Sequence, residues 1–383
     1  MRDVIEELLG WWRSGQPVGM ATVVGTWRSA PRPPGATMLV GPDGTAVGSV
    51  SGGCVEGAVY ELAGSVVGSG EPVLARYGVS DGDAFDVGLT CGGTIEIFVE
   101  RVDPASFPEL ARVAASIGAA EPVAVATVVR GGDGAPGRDL PGRHLPGRHL
   151  VVWPDRHEGT LGSDRLGRAV VEDARAALAA GRSGPISYGP DGQRLGDELT
   201  VFVSGFAPPP RMIVFGAIDF AAAVARVGDF LGYRVTVCDA RPVFATGRRF
   251  PGVEVVVDWP HRYLAGEVAA GRLDGRSVVC VLTHDPKFDV PALKVALAQP
   301  VAYVGAMGSR RTHADRIERL RAEGVPPDQL ARLASPIGLD LGARTPEETA
   351  VSIAAEIISI RWGGGGRPLS ELDGSIHANL DRS

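Results

Sequence analysis

The residues best suited to chemistry fall in three runs. Cys54 follows two glycines in Gly48-Ser49-Val50-Ser51-Gly52-Gly53-Cys54-Val55-Glu56, and a second thiol stands in Thr90-Cys91-Gly92-Gly93. Two glycines remove side chains that would keep a ligand from the backbone, so Ser51, Gly52 and Gly53 are candidate binding residues. Val55, Ala58, Val59, Leu62 and Ala63 share one helical face, which predicts a helix opening at Cys54. Helix-end N–H groups and the helix dipole there both favour thiolate over thiol. Cys54, with Cys91, is therefore a candidate catalytic residue, and Glu56 could act on a proton or complement the dipole. The second run is Thr283-His284-Asp285, and the third is Gly305-Ala306-Met307-Gly308-Ser309-Arg310-Arg311. A glycine-lined turn that carries two arginines into a helix start suits a phosphate, through backbone N–H and guanidinium donors together. Singly, each run also has a plain structural reading: a capped turn over a small cysteine, a hydrogen-bonded loop histidine, a solvated helix end.

The elements that must position these runs follow from periodicity. In the first half a helix over 4–14 precedes a strand over 19–24, a hairpin of strands 38–40 and 46–50 around Pro42-Asp43-Gly44, the helix from Cys54, and strands 73–77 and 94–101. The same order returns. Ala21-Thr22-Val23-Val24 matches Ala126-Thr127-Val128-Val129, Ala75-Arg76-Tyr77-Gly78 matches Ile186-Ser187-Tyr188-Gly189, and 94–99 matches 198–203. Val47-Gly48-Ser49 is set against Leu161-Gly162-Ser163, and Ser51-Gly52-Gly53-Cys54 against Arg165-Leu166-Gly167-Arg168. A duplicated α+β domain over 1–206 is expected, with copies at about 17–103 and 121–206. The thiols occur in the first copy and not the second, which favours function over scaffolding. Between the copies, Leu140-Pro141-Gly142-Arg143-His144 repeats as Leu145-Pro146-Gly147-Arg148-His149 and predicts an exposed loop over 131–149.

Ala207-Pro208-Pro209-Pro210-Arg211 reads as a stiff linker, and a second domain over 211–383 has the βα alternation of a Rossmann-like doubly wound parallel sheet. The fold class is α/β. Strand one meets its helix at Gly216-Ala217-Ile218-Asp219-Phe220-Ala221, an imperfect dinucleotide fingerprint with Ile218 at the second glycine position. Gly216, and Asp239 at the end of strand two, are candidate cofactor contacts, as are His284, Asp285, Gly308, Ser309, Arg310 and Arg311 at later strand ends. Asp340 and Arg344, in a third glycine-bearing loop, join them. A second reading is accordingly an NAD(P)-dependent oxidoreductase with a thiol-bearing substrate domain.

Composition bounds the rest. With 44% hydrophobic and 22% charged residues, the 383-residue chain is of ordinary globular type, and a net charge of −7 argues against a general nucleic-acid binder. No apolar run approaches the roughly 18 residues of a membrane span. The start, Met1-Arg2-Asp3-Val4-Ile5-Glu6-Glu7, predicts an acidic amphipathic helix and no secretory signal, and four cysteines predict no disulfide framework. A cytoplasmic protein is expected.

The Gly35-Ala36-Thr37-Met38 and Gly48-to-Glu56 runs, with Cys91-Gly92-Gly93, resemble the N-terminal domain of the xanthine dehydrogenase accessory-factor family (XdhC/CoxI). Tyr303-Val304-Gly305-Ala306-Met307-Gly308-Ser309-Arg310-Arg311 and Pro336-Ile337-Gly338-Leu339-Asp340-Leu341-Gly342-Ala343-Arg344 resemble that family's C-terminal Rossmann domain. The resemblance spans nearly the whole chain. It implies a maturation factor that binds molybdenum cofactor, as molybdopterin or a nucleotide form, supports its sulfuration, and hands it to a molybdenum hydroxylase. A cysteine desulfurase and a homo-oligomeric assembly are further implied partners, with no nucleic acid and no membrane. Arg310 and Arg311 would take the phosphate and Cys54 would contact molybdenum, which requires the two domains to face each other across a cleft. Nothing in the sequence resembles the iron–sulfur, flavin or molybdopterin-binding domains of xanthine dehydrogenase, so a label naming that enzyme describes its client. Ala217-Ile218-Asp219 and the Leu-Pro-Gly-Arg-His insertion depart from the family pattern.

Overall fold

The computed structural model describes residues 1–27, 32–78, 93–131 and 146–373. The chain divides into two compact units, Met1–Pro208 and Pro209–Asp373. Thr90, Cys91, Gly92 and His144 lie outside the described residues.

The first unit holds two five-stranded antiparallel sheets. After helix α1 (Ile5–Arg13) come β1 (Val18–Trp27), β2 (Thr37–Val40), β3 (Ala46–Gly48), α2 (Glu56–Ser69), β4 (Val73–Tyr77) and β5 (Thr94–Val102). After α3 (Leu110–Gly118) come β6 (Val123–Arg130), β7 (His149–Val152), β8 (His157–Gly159), α4 (Asp164–Ala180), β9 (Gly184–Tyr188) and β10 (Leu199–Phe206). The strand orders are β3-β2-β1-β5-β4 and β8-β7-β6-β10-β9, the same path taken twice. Even the irregularities coincide: the register of β1 on β5 slips between Val23 and Gly25, and that of β6 on β10 at the matching Val129. The two bulge residues, Val24 and Val129, meet Phe98 and Phe202 in one buried cluster that joins the halves.

Side chains alternate along the central strands. Val18 and Met20 of β1 enter a core shared with α1 and α3, whereas Ala21 and Val23 pack under α2. Both faces are covered, so these antiparallel strands read as continuous apolar runs.

Two expectations change here. Helix α2, expected to open at Cys54, begins at Glu56 with Val55 as its N-cap, so Cys54 stands outside it, in the connecting loop. In the β2–β3 and β7–β8 ladders Met38 faces Gly48 and Leu150 faces Gly159, so the counterpart of Gly48 is Gly159, not Gly162. Arg165, Leu166, Gly167 and Arg168 lie inside α4 and are not the counterpart of the cysteine run.

His149 also moves. Expected in an exposed loop, it opens β7 and is buried, its Nε2 3.1 Å from Glu100 Oε2, its Nδ1 3.1 Å from Thr127 Oγ1, and its ring stacked on Phe107. A β-strand partner and a buried carboxylate draw in a residue whose neighbours, Pro and Gly, signalled a turn.

The second unit is a six-stranded parallel sheet ordered β13-β12-β11-β14-β15-β16. Its elements are β11 (Arg211–Phe215), α5 (Asp219–Phe230), β12 (Arg234–Asp239), β13 (Glu254–Val257), α6 (Pro260–Ala269), β14 (Val278–Val281), α7 (Pro286–Leu297), β15 (Tyr303–Ala306), α8 (Arg310–Ala322), α9 (Pro327–Leu330), β16 (Leu333–Ala334) and α10 (Pro346–Trp362). Met212 and Val214 enter one core with α5 and α10, and Ile213 and Phe215 the other with α7 and α8. This is the doubly wound Rossmann arrangement, with its switch point between β11 and β14. Helix α6, the short helix α9 and strand β16 complete the unit. Among the described residues no helix is long and apolar enough to cross a membrane.

Candidate functional site

The loop between β3 and α2 is wound around one carboxylate. Glu56 Oε1 accepts hydrogen bonds from Ser49 Oγ at 2.7 Å, Ser51 N–H at 2.9 Å and Val50 N–H at 3.3 Å. Its Oε2 accepts from Gly53 N–H at 2.8 Å, Val55 N–H at 3.3 Å and the Ser51 hydroxyl. Ser51 is buried, and its Oγ in turn accepts from Val55 N–H at 3.0 Å; Gly52 N–H donates to Ser49 Oγ at 3.0 Å. Burial resists ionisation of this carboxyl, but the hydrogen bonds from Ser51 and Ser49 outweigh it and hold the pKa at about 2.

Gly52 and Gly53 have φ of +75° and +119°, and a side chain at either would meet nothing within 4 Å. Their requirement is conformational: the chain must turn through left-handed backbone to bring the 53 and 55 N–H groups onto Glu56. Cys54, between those two donors, is half-buried and packs against the core under α2. The N–H groups that sequence reading offered to a ligand at 51 and 53 are thus occupied by Glu56. That carboxylate, read from the sequence as able to act on a proton or to complement the helix dipole, has both oxygens engaged by donors of its own loop.

At the carboxyl edge of the parallel sheet the expected residues separate into two sets. The Gly216 turn is closed by its own side chains. Asp239 is buried and accepts from Ala217 N–H at 2.7 Å and from Arg241 three times, through N–H at 2.9 Å, Nε at 2.9 Å and Nη2 at 2.7 Å. Asp219, at the first position of α5, pairs with Arg249 at 2.8 Å, and Phe244 lies under both Arg241 and Arg249. Burial opposes the charge on Asp239, and Arg241 with the Ala217 N–H restores it, keeping its pKa below the usual carboxylate range. A ribose would find all four lone-pair positions taken, and a pyrophosphate would meet Asp219. An ordinary dinucleotide would have to displace these partners.

The β14 and β15 ends are different. Ser309 caps α8, accepting from Thr312 N–H at 3.1 Å, and Arg310 and Arg311 occupy its first turn. Both arginines are exposed, and among the described residues neither guanidinium group makes a hydrogen bond or ion pair. They leave guanidinium donors and a helix end open to an anion. His284 is exposed on the neighbouring loop, while Asp285 is the N-cap of α7, accepting from Lys287 N–H at 3.1 Å. Ile337 N–H donates to the Ala306 carbonyl at 3.1 Å, tying the third loop to the end of β15; Asp340 and Arg344 are exposed farther along it.

Beneath these loops lies a network that periodicity could not reveal. Arg316 is buried and donates to Asp289 at 3.0 Å, to the Met307 carbonyl at 2.8 Å and to Ser335 at 3.0 Å; Asp289 also accepts from the Thr283 hydroxyl. Burial raises the Asp289 pKa despite these partners. The pair pins the Gly308 turn to the His284 loop. Its only trace in the sequence is an arginine on the face of α8 that also carries the buried Leu320. Cys238 and Cys280 are buried thiols pushed up to about 12 by desolvation, and so are inert.

Similarity to known proteins follows this division. Residues 212–357 match the XdhC Rossmann domain, and residues 11–78 and 116–189 match the XdhC and CoxI family, ending on the corresponding Gly78 and Gly189. The chain is 26% identical to a Bacillus subtilis protein named as a probable subunit of xanthine dehydrogenase, over 89% of its length and 92% of that protein. It is 27% identical to the Escherichia coli molybdenum cofactor insertion chaperone PaoD over 94% of its length and 87% of that protein. A crystal structure described as a xanthine dehydrogenase from Bacillus halodurans superposes with a TM-score of 0.65 at 26% identity, covering 97% of each chain. With both halves of the N-terminal unit and the Rossmann unit matched, this chain belongs to the XdhC and CoxI family.

Proposed function

We propose that this protein is a molybdenum cofactor-binding accessory protein that supports sulfuration and insertion of the cofactor into a xanthine dehydrogenase-type or CO dehydrogenase-type molybdenum hydroxylase. The observation that carries the reading is the bare arginine pair, Arg310 and Arg311, at the start of α8 in a chain similar to a cofactor insertion chaperone. Two guanidinium groups beside helix-end N–H donors fit a phosphate or its nucleotide extension. Cys54 offers soft sulfur, the ligand type that suits a molybdenum–sulfur centre. When bound, the cofactor supplies the metal, the dithiolene and the phosphate. Within the Rossmann unit Arg310 and Arg311 would neutralise the phosphate charge on a turn shaped by Gly308 and Ser309; within the N-terminal unit Cys54 would offer a thiol to the metal. Cys91 is a second thiol in the same reading, and His284, Asp340 and Arg344 are secondary contacts.

The client is a molybdenum hydroxylase, with a cysteine desulfurase as sulfur donor, and the setting is a cytoplasmic homo-oligomer. The alternative, an NAD(P)-dependent oxidoreductase, is disfavoured by the Asp239 and Asp219 pairs that close the Gly216 turn.

Expression with molybdate, followed by molybdenum analysis and pterin fluorescence, tests the reading. Cofactor should co-purify with the wild type, be lost in Cys54→Ala, and fall about tenfold in Arg310→Ala, the effect of one charge-assisted contact. Equal occupancy in all three proteins overturns it. Micromolar NAD or NADP binding by calorimetry would promote the alternative.

A further inference from the structure

Glu56 needs an account that neither a proton-transfer role nor helix-dipole complementation supplies. A dipole-complementing acid needs no contacts beyond the helix end, yet this side chain reaches back across the whole loop and takes six hydrogen bonds from Ser49, Val50, Ser51, Gly53 and Val55. A proton-transfer group needs a lone pair open to its substrate, and six donors of its own loop occupy this carboxylate. The donors are what a loop would present to a bound anion: four N–H groups and two hydroxyls converging on one carboxylate. Here the anion is built in. The backbone neighbours of Cys54 on both sides, Gly53 and Val55, donate to the same oxygen, so the path of the chain through Cys54 is set from Glu56.

We propose that Glu56 is a positioning residue for Cys54: its carboxylate is the internal anion on which the 49–55 loop is wound, and the thiol is presented to ligand only while that carboxylate holds Gly53 and Val55. Ser49 and Ser51 are part of the device, each hydroxyl bridging loop backbone to Glu56 or closing the loop on itself. Glutamine has the same shape but brings an NH2 group to donors that need an acceptor. Aspartate is one methylene short. The proposal rests on the reading of Cys54 as a ligand-facing thiol, and its test is arranged so that the two can fail apart.

The full chain is prepared with Glu56, with Glu56→Gln and with Ser51→Ala, each with Cys91 intact for retention and unfolding and with Cys91→Ser for alkylation. Three quantities are measured: alkylation rates of Cys54 by neutral iodoacetamide and anionic iodoacetate, cofactor retention, and thermal unfolding. Glu56→Gln should retain about a tenth of the wild-type cofactor and shift the iodoacetate-to-iodoacetamide rate ratio several-fold upward, roughly the effect of removing one charge beside the thiol. A merely structural role would leave that ratio unmoved. Ser51→Ala keeps the charge; it should lower retention while leaving the ratio as in the wild type, and it decides the matter if the glutamine variant does not fold. Retention and ratio both unchanged in a folded Glu56→Gln, or retention unchanged in Ser51→Ala where the glutamine variant does not fold, overturns the positioning role. Retention unchanged in Cys54→Ala overturns the thiol reading instead.

Discussion

The two halves of the N-terminal unit reach their helices by different routes from the same starting point. Both leave the sheet at a glycine with left-handed φ, +84° at Gly48 and +90° at Gly159, set against a facing strand. From there the second half needs four residues, 160–163, and ends on an ordinary cap: Ser163 Oγ accepts from Leu166 N–H at 3.4 Å. The first half spends seven, 49–55, and folds them onto Glu56. Where the first half has its caged carboxylate, the second has Asp164, exposed in the first turn of α4. Near that turn a shallow cavity of about 300 Å³ is lined by Arg165, Arg168, Asp191, Gly192 and Gln193. The scaffold is common to both; the three extra residues and the inward carboxylate belong to one. A duplicated framework can therefore keep its fold with one half and specialise the other.

Glu56→Gln should break that contrast most. Loss of a charged acceptor from several hydrogen bonds should cost about 3 kcal/mol in urea unfolding at neutral pH. The sign with pH follows from the lowered pKa. Glu56 contributes stability above the unfolded-state value of 4.5, and the contribution is lost as pH falls through about 2, so wild type and variant should converge across that interval. A constant gap from pH 7 to pH 2 would show that the charge is not what the loop needs.

The shared corner should respond alike in both halves. A Cβ at Gly159 would sit 2.6 Å from the His149 carbonyl oxygen, and one at Gly48 even closer to that of Thr37. Alanine at either position should cost about 2 kcal/mol by thermal melting, through strain and clash together. Clearly unequal costs would mean that the two corners are not equivalent. Ser163→Ala should remove one helix cap, about 1 kcal/mol, and leave cofactor retention intact. Asp164→Asn should cost least, about 0.5 kcal/mol from the helix dipole alone. If it matched Glu56→Gln, the difference between the two loops would be one of degree only.

Much of this organisation was legible in the chain. Continuous apolar runs in Met212-Ile213-Val214-Phe215 and Val278-Val279-Cys280-Val281, each followed by a helical pattern, announce a parallel sheet, because a strand covered on both faces must be apolar throughout. The repeated Ala-Thr-Val-Val runs mark the two central strands β1 and β6, because equal burial selects equal residues. The glycine-cysteine and glycine-arginine runs marked the turns that join β3 to α2 and β15 to α8. What the sequence could not assign is how polar side chains share donors. Glu56 turns back on its own loop, Asp239 spends its oxygens on Ala217 and Arg241, Arg316 joins Asp289 across two helices, and His149 goes inward to Glu100. Hydrophobic periodicity reports which face is dry, a local property. A hydrogen-bond partner is fixed only when turns with left-handed backbone and strands distant in sequence have closed in space, so those assignments belong to the tertiary structure.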